Sequence, residues 1–340
     1  MKAATIAGKR AFEIKDVDPP RPAPGEALIR VRNVGVCGSD LHFYRGEFPV
    51  PPGFILGHEC AGEVAALGEG VDGFAPGDRV ALELFDVCLR CVQCRSGNYH
   101  LCPSRKANGL NIPGGLREYM AVPSYALYRL PGEVDCELGA LCEPLAVGVH
   151  GLRLVDLRFG DRVAVLGAGT IGLLAVAAAR AMGATYVAAT ARHPHQKEMA
   201  RQLGADAVFD ATNEGIGQMN AALGGADVVV ETVGGHADTL QHALTLVAPG
   251  GRISILGAFT QPVQIHPIMF FLKEPTLRGS NCYGRPGRAS DYELAIEIMR
   301  REATSLRRLI THRFPLEDVA EAYAAADDKS SGAIKVQITP

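Results

Sequence analysis

The stretch V-A-V-L-G-A-G-T-I-G, residues 163–172, decides the fold, because it joins a short apolar run to a glycine-rich turn that precedes an Ala-rich helical run. Glycines at this spacing let backbone N–H groups and a helix N-terminus approach a pyrophosphate. Alone the motif is weak, but between a strand and a helix it predicts a dinucleotide site. The residues that we assign to cofactor binding here are Gly167, Gly169, Thr170, Ile171 and Gly172.

Further apolar runs continue this pattern downstream: Y-V-A-A-T, A-V-F, D-V-V-V-E, R-I-S-I-L and T-L-R-G. Ala- and Leu-rich helical stretches separate most of them. Such alternation is typical of βαβ units and a parallel sheet. It predicts an α/β fold with a doubly wound Rossmann domain over residues 149–278.

The rest of the chain has a different pattern. Up to residue 132, Gly and Pro recur at close intervals among short strand-like segments, as in a β-rich domain. Past Asn281 the strand–helix alternation stops. Because 340 residues exceed the size at which single cores usually split, we expect two domains. The expected division is residues 1–148, then 149–278, with 279–340 returning to the first domain.

Composition excludes several classes of partner. The net charge is −3, and no basic stretch interleaved with aromatic residues is present, which argues against nucleic acid. The N-terminus has no apolar core of a secretory signal, so we expect a cytoplasmic protein. The run at residues 163–179 contains no Asp, Glu, Lys or Arg, but it is short for a membrane span and is interrupted by three glycines. We therefore expect no membrane partner.

A cysteine-rich segment, C-L-R-C-V-Q-C-R-S-G-N-Y-H-L-C, predicts a metal site. The thiolates of Cys88, Cys91, Cys94 and Cys102 can close a tetrahedral zinc shell with no position open to substrate, so the role would be structural. His100, within the segment, is then a bystander. An iron–sulfur cluster and unrelated buried thiols are the alternatives.

A second group of residues with side chains that can bind a metal is scattered over the first half of the chain. It comprises Cys37, His58, Glu59 and Glu143. A catalytic zinc takes three protein ligands and keeps one position open, and a Cys, a His and a carboxylate meet that requirement. Spacing alone cannot establish this site, because the segments are far apart. Taken singly, each residue is better explained as a core thiol, a satisfied histidine or a surface acid.

The segment G-H-E-C-A-G-E-V-A-A-L-G-E-G-V, residues 57–71, resembles the G-H-E-x-x-G-x5-G-x-x-V signature of the zinc-containing medium-chain alcohol dehydrogenases. The resemblance continues through P-G-D-R-V, the cysteine segment, E-P-L-A-V-G-V-H, G-A-G-T-I-G and T-H-R-F-P-L-E. The E-P-L-A-V segment is most similar to the sorbitol, or polyol, dehydrogenase branch. The resemblance implies a GroES-like β-rich catalytic domain beside the Rossmann domain, two zinc ions per chain, and a homodimer or homotetramer.

Position by position, the resemblance implies that Cys37 and His58 are zinc ligands. Glu59 is then the third ligand or a partner of a ligand. Glu143 is a ligand or a hydrogen-bond acceptor for the zinc-bound water. Which carboxylate reaches the metal stays open at this point.

Oxidation of a carbinol requires that its hydroxyl proton reach water. Ser39 and His42, two and five residues past Cys37, are suited to that task, since His titrates near neutrality. In the family the matching residues form a relay through the nicotinamide ribose. The alternative for His42 is a solvated loop histidine.

The second strand of the Rossmann pattern should end with an acid that binds the ribose 2′-hydroxyl of NAD. No Asp or Glu occurs between Leu173 and Lys197, and T-A-R-H-P-H occupies the expected place. A guanidinium would instead hold the 2′-phosphate of NADP. We predict a preference for NADP, bound by Thr190, Arg192, His193 and Lys197. The alternative is a solvated Arg192 and NAD as cofactor.

Substrate residues are the weakest prediction. We expect Phe43, Phe48 and Tyr283 to contact substrate. Phe43 and Cys282 replace a Tyr and an Arg of sorbitol dehydrogenase, which suggests a secondary alcohol or a differently shaped polyol or cyclitol. The competing functions are an NAD-dependent sorbitol-type enzyme, a zinc-free quinone or enoyl reductase, and a non-catalytic cofactor-binding protein.

Overall fold

The computed structural model describes all residues, 1–340, and divides them into two compact units. Residues 1–143 and 284–340 form the first unit, and residues 144–283 form the second. The sequence pattern set the corresponding boundaries at 148/149 and 278/279. None of the helices combines the length and hydropathy that crossing a lipid bilayer requires.

The elements of the first unit come from both ends of the chain. Its strands before the second unit are β1 (Lys2–Gly8), β2 (Ala11–Asp16), β3 (Glu26–Gly35), β4 (Glu59–Leu67), β5 (Arg79–Leu82), β6 (Phe85–Asp86), β7 (Lys106–Ala107), β8 (Tyr119–Pro123) and β9 (Leu127–Arg129). Its first helices are α1 (Gly38–Tyr44), α2 (Val92–Arg95) and α3 (Cys136–Gly139), and α4 (Cys142–Leu154) leads out of it.

The second unit alternates strands with helices. Its strands are β10 (Arg162–Leu166), β11 (Tyr186–Ala191), β12 (Ala207–Asp210), β13 (Ala226–Glu231), β14 (Val247–Ile255) and β15 (Thr276–Gly279). Its helices after α4 are α5 (Thr170–Ala181), α6 (Pro194–Gln202), α7 (Asn213–Leu223), α8 (Thr239–Leu246) and α9 (Ile268–Lys273). The chain then returns to the first unit with α10 (Asp291–Arg307), β16 (Ile310–Pro315), α11 (Val319–Asp327) and β17 (Lys335–Thr339).

The sheet of the second unit confirms the predicted doubly wound fold. Its strand order is β12-β11-β10-β13-β14-β15, and every neighbouring pair is parallel. The order reverses between β10 and β13, and in open parallel sheets ligands bind beyond the carboxyl ends of the strands at such a point. The interior of this unit is aliphatic, with Leu166, Val229 and Leu244 inaccessible to solvent.

The sheet of the first unit confirms the predicted β-rich fold. Its order is β16-β17-β3-β4-β5-β9. Strand β8 pairs with the N-terminal half of β3, whereas β17 pairs with its C-terminal residues. Along β3, Ala27, Ile29 and Val31 are buried at alternate positions, so one face of the strand enters the core, as the period of two requires. At the carboxyl end of β3, Gly35 pairs with Glu59 of β4 on one side and with Gln337 of β17 on the other.

Candidate active site

The register of β3 and β4 brings three potential metal ligands together. Gly35, the last residue of β3, pairs with Glu59, the first residue of β4. Cys37 follows the end of β3 by two residues and His58 directly precedes β4, so both lie at the same end of the paired strands. The sulfur of Cys37, a ring nitrogen of His58 and a carboxylate oxygen of Glu59 all lie within 4.8 Å of one another.

The imidazole of His58 lies beside a buried carboxylate. Asp40, in the first turn of α1, accepts a hydrogen bond from the backbone N–H of Cys37 at 2.9 Å and has Oδ1 3.3 Å from His58 Nδ1. A carboxylate beside one ring nitrogen is the usual partner of a metal-binding histidine. The other nitrogen, Nε2, is left for a metal and lies 3.5 Å from the hydroxyl of Ser39.

Glu59 is held by a lysine from the far end of the chain. Nζ of Lys335 donates to both carboxylate oxygens at 2.7 and 2.6 Å and to the carbonyl of Val36 at 3.0 Å, so all three of its N–H groups are used. Both side chains are almost completely buried. A Cβ on Gly35 would lie 2.0 Å from Oε2 of Glu59, so only glycine fits beside this pair.

Glu143 lies in the first turn of α4 and is buried, but it is not within the three-residue group. Burial raises the pKa of its carboxyl to about 7, with the charges of His58 and Lys335 acting in the opposite direction and Glu59 in the same one. Glu143 is therefore a buried acid within electrostatic range of His58, Glu59 and Lys335.

The electrostatics of the site suit a divalent cation. Three carboxylates, Asp40, Glu59 and Glu143, are buried there beside a single buried lysine. Burial opposes protonation of His58, yet the adjacent Asp40 and Cys37 outweigh it and raise the pKa of the imidazole well above its ordinary value. A bound Zn²⁺ would replace that proton and match the donor set of one sulfur, one nitrogen and a carboxylate oxygen.

The four cysteines of the second metal group also converge. Their sulfurs lie within 4.8 Å of one another, with Cys88 3.5 Å from Cys102 and 3.9 Å from Cys94. Zn–S bonds of about 2.3 Å in a tetrahedron separate sulfurs by about 3.8 Å. Backbone N–H groups of Arg90 and Cys91 lower the pKa of Cys88 to about 6, so a thiolate forms there readily. The arrangement fits a closed zinc site.

The glycine turn of the second unit is shaped for a dinucleotide. Gly167 has φ +99°, and a Cβ on Gly172 would lie 1.9 Å from the Gly167 carbonyl oxygen, so α5 packs closely on the turn. A Cβ on Gly169 would meet open space, where a pyrophosphate can approach. Gly169 is the N-cap of α5 and supplies no side chain, so the first N–H groups of that helix are not capped by one.

The residues after β11 have distinct roles. The hydroxyl of Thr190 accepts a hydrogen bond from the Gly167 N–H at 2.9 Å, which ties β11 to the glycine turn. Arg192 is exposed and makes no ion pair or hydrogen bond. His193 stacks on His195 with ring centroids 5.5 Å apart, and Lys197 pairs with Asp210 at 2.6 Å. Of the four predicted residues, Arg192 has the most accessible charge.

The remaining predicted residues are dispersed. Ser39 and His42 lie three residues apart on α1 and therefore on one face of the helix. Phe43 packs against the core of the first unit, and Phe48 is half-exposed beside the ring of His42. Tyr283 is completely buried.

Sequence reasoning missed Asp40 and Lys335. Asp40 stands within C-G-S-D, next to a predicted ligand, and a polar residue at that place was a usable signal. Lys335 gave no signal, because its partner Glu59 is 276 residues away in the chain.

Comparison with known proteins gives the family. Residues 23–132 match the family model of the alcohol dehydrogenase GroES-like domain, and residues 170–301 match that of the zinc-binding dehydrogenases. A sorbitol dehydrogenase from Halalkalibacterium halodurans is 34% identical over 339 residues, covering 98% of this chain and 97% of that protein. A D-xylulose reductase from Scheffersomyces stipitis is 37% identical, covering 92% and 91%.

Solved structures agree with the sequence relatives. Galactitol-1-phosphate dehydrogenase from Escherichia coli has a TM-score of 0.92 at 29% identity, with 100% of both chains covered. The resemblance predicted from the G-H-E signature and the E-P-L-A-V segment is thereby confirmed. The chain belongs to the zinc-binding alcohol dehydrogenase family, in its sorbitol and polyol dehydrogenase branch, and is an oxidoreductase.

Proposed function

We propose that the protein is a zinc-dependent dehydrogenase that transfers a hydride between NADP(H) and a secondary alcohol, polyol or cyclitol and its ketone. The observation that carries the proposal is the convergence of Cys37, His58 and Glu59 within 4.8 Å in a buried, carboxylate-rich site. A zinc-free quinone or enoyl reductase has no use for such a donor set.

Cys37, His58 and Glu59 would hold the catalytic zinc. The ion supplies a Lewis acid that lowers the pKa of a neighbouring hydroxyl, as it lowers that of water from about 16 to about 7. Lys335 balances the charge of Glu59 while leaving the carboxylate within reach of the metal. Glu143, whose pKa is raised to about 7 by burial, accepts a hydrogen bond from the substrate hydroxyl.

Ser39 and His42 carry the proton of that hydroxyl away. The hydroxyl of Ser39 lies 3.5 Å from Nε2 of His58 and hence beside the metal ligands. His42 is one helical turn further and partly exposed, so a proton that reaches its imidazole can pass to water. The four-cysteine lobe takes a second, structural zinc, which gives two zinc ions per chain.

Arg192 supports the choice of NADP. A nicotinamide dinucleotide supplies the acceptor or donor of the hydride, and its 2′-phosphate is what distinguishes NADP from NAD. The exposed, unpaired guanidinium of Arg192 stands where NAD enzymes have an acid that would repel the phosphate. Thr190 fixes the turn, and His193 and Lys197 add positive charge nearby. The NAD-dependent sorbitol-type enzyme is the second candidate, since the metal donors suit it equally.

The substrate is proposed to be less hydroxylated than sorbitol, or differently shaped. Phe43, Phe48 and Tyr283 are the side chains that we expect to touch it. Phe48 lies beside His42, with ring centroids 4.8 Å apart, which would put substrate carbons close to the proton path.

A second copy of the chain is the proposed protein partner, as a homodimer or homotetramer. The edge strand β15 pairs only with β14, and all four of its residues are exposed. Apolar side chains of α9 and β15 are exposed beside it: Ile268, Phe271, Leu272 and Leu277. Two copies related by a twofold axis can pair such edges antiparallel and cover these side chains.

Metal analysis and kinetics test the proposed function together. We expect two zinc ions per purified chain, loss of alcohol oxidation on chelation with recovery on adding zinc, and a higher kcat/KM with NADP⁺ than with NAD⁺ across a panel of secondary alcohols, polyols and cyclitols. Oxidation at an unchanged rate after removal of zinc would refute it. A clear preference for NAD⁺ would leave the zinc chemistry standing and support the sorbitol-type alternative.

A further inference from the structure

We propose that Glu47 is a positioning residue for proton release: its carboxylate accepts the Nδ1–H of His42 and so keeps Nε2 of the imidazole as the atom that takes the substrate's proton. The inference rests on the proposed dehydrogenase function. Oxidation of one alcohol gives one hydride to the oxidised dinucleotide and releases one proton, so one proton must leave the site in each turnover.

The chain turns back on itself to bring Glu47 beside His42. Helix α1 ends at Tyr44, and Gly46, with φ +69°, donates its N–H to the carbonyl of Phe43 at 3.0 Å. The backbone N–H of Glu47 then donates to the carbonyl of His42 at 2.9 Å. This turn, and not chance meeting of two flexible side chains, puts the carboxylate next to the ring.

The imidazole is held from two directions. Nδ1 of His42 and Oε2 of Glu47 form a hydrogen bond, and the ring of Phe48 stacks on the imidazole at 4.8 Å with an interplanar angle of 30°. A carboxylate only accepts hydrogen bonds, so the neutral imidazole carries its proton on Nδ1. The lone pair is consequently on Nε2, the nitrogen that can receive a proton.

The surrounding charges keep Glu47 ionised. The hydrogen bond from His42 is the main cause that lowers the pKa of Glu47. Burial and the charge of Asp327 oppose this shift, and the charge of Arg45, 3.8 Å away, adds to it. Most of the attraction of Arg45 is directed to Asp327, to which it donates at 2.7 Å. The other charged groups of neighbouring segments are Lys9, Arg10 and Lys329.

After proton transfer the pair is an imidazolium beside a carboxylate. The carboxylate stabilises that cation, and since both side chains are partly exposed, the proton passes to water without a further side chain. Removing the carboxylate has two effects. The tautomer is no longer fixed, and the imidazolium loses its counter-ion.

The test is Glu47→Gln, which keeps the shape of the side chain and removes its charge. With saturating alcohol and NADP⁺, we expect kcat for oxidation to fall about tenfold at neutral pH, a part of the 10²–10⁴ that general acid–base catalysis supplies. The acid limb of the pH profile moves to lower pH, while KM for the alcohol is unchanged. Glu13→Gln, which removes the charge of an exposed carboxylate paired with Lys15, is the matched control and behaves as wild type.

A double-mutant cycle identifies the route of the effect. If Glu47 acts through His42, Glu47→Gln changes nothing further in a His42→Ala background. A readout independent of turnover is the ¹⁵N spectrum of histidine-labelled protein, assigned with His42→Ala. It should show the Nδ1–H tautomer of His42 in the wild type and a tautomer mixture in Glu47→Gln.

Two outcomes overturn the proposal, and each has a separate meaning. A wild-type protein that oxidises alcohols, with a Glu47→Gln variant of unchanged kcat, pH profile and tautomer, refutes the role of Glu47 alone. A wild-type protein that oxidises no member of the panel with either dinucleotide refutes the proposed function, and the proton path with it.

Discussion

Arg192→Ala gives the sharpest test of the dinucleotide site. Arg192 directly follows the last residue of β11, and its side chain is exposed and has no hydrogen-bond or ion-pair partner. Its removal therefore breaks no hydrogen bond or ion pair of the folded protein, and we expect the free energy of unfolding to stay within about 0.5 kcal/mol of wild type. Any larger effect on activity then reports on the ligand.

The magnitude follows from what a phosphate would gain there. A charge-assisted hydrogen bond contributes about 1.5–3 kcal/mol, and 1.4 kcal/mol is about tenfold. The neighbours compensate only in part, because Lys197 is bound by Asp210 at 2.6 Å and the hydroxyl of Thr190 accepts from Gly167. We expect kcat/KM for NADP⁺ to fall about 10- to 100-fold and that for NAD⁺ to change less than about threefold.

The assay is initial-rate kinetics with each dinucleotide at low ionic strength, where surface charges are least screened. Arg201→Ala is the control, since this arginine lies in α6, the helix that follows Arg192, is exposed and is only loosely paired, with Glu198 at 3.8 Å. An Arg192→Ala variant that loses the same factor with both dinucleotides, or that keeps its full NADP⁺ activity, would show that the guanidinium does not bind the 2′-phosphate.

Three further outcomes are expected. Lys335→Met leaves Glu59 buried without its cation and lowers the free energy of unfolding of the zinc-free protein, measured by urea denaturation, by about 3–5 kcal/mol. The double variant Lys335→Met/Glu59→Gln restores most of this loss. A double variant as unstable as the single one would contradict the pairing. Burial raises the pKa of Glu83 from 4.5 to about 7, so the native protein retains a proton that the unfolded chain has lost, and stability falls between these two pH values. Glu83→Gln removes this decline, on the order of 3 kcal/mol, and a variant with the wild-type slope in urea denaturation at several pH values would refute it. Phe271→Asp and Leu277→Asp charge the exposed surface of α9 and β15 and give monomers in light scattering, whereas variants with the wild-type mass would exclude this surface as the interface.

Local features could be read from the sequence because their parts are close together in the chain. The turn at Gly167–Gly172 is encoded by glycine spacing between two apolar runs, and the parallel sheet by the alternation that follows. The four-cysteine lobe brings its sulfurs together within fifteen residues, 88–102. In each case the short chain segment between the residues restricts their geometry so strongly that residue type and spacing are sufficient to predict the structure.

The proposed catalytic zinc site could not be predicted from residue type and spacing in this way. Cys37 and the pair His58 and Glu59 lie on separate segments, and the residue types alone favoured a core or surface role for each. A family resemblance supplied the assignment in advance, and the pairing of Gly35 with Glu59 supplies its physical cause.

The sequence by itself determined the two kinds of domain, the glycine turn and the cysteine lobe, since these depend on contacts between near neighbours. Tertiary structure alone decided that Lys335 neutralises Glu59, that Asp40 lies against His58 and that Thr190 is committed to the glycine turn. Such pairings depend on the register of strands and the direction of side chains far apart in the chain. Their free energy comes from burying charge and polarity together, which no local spacing of residues records.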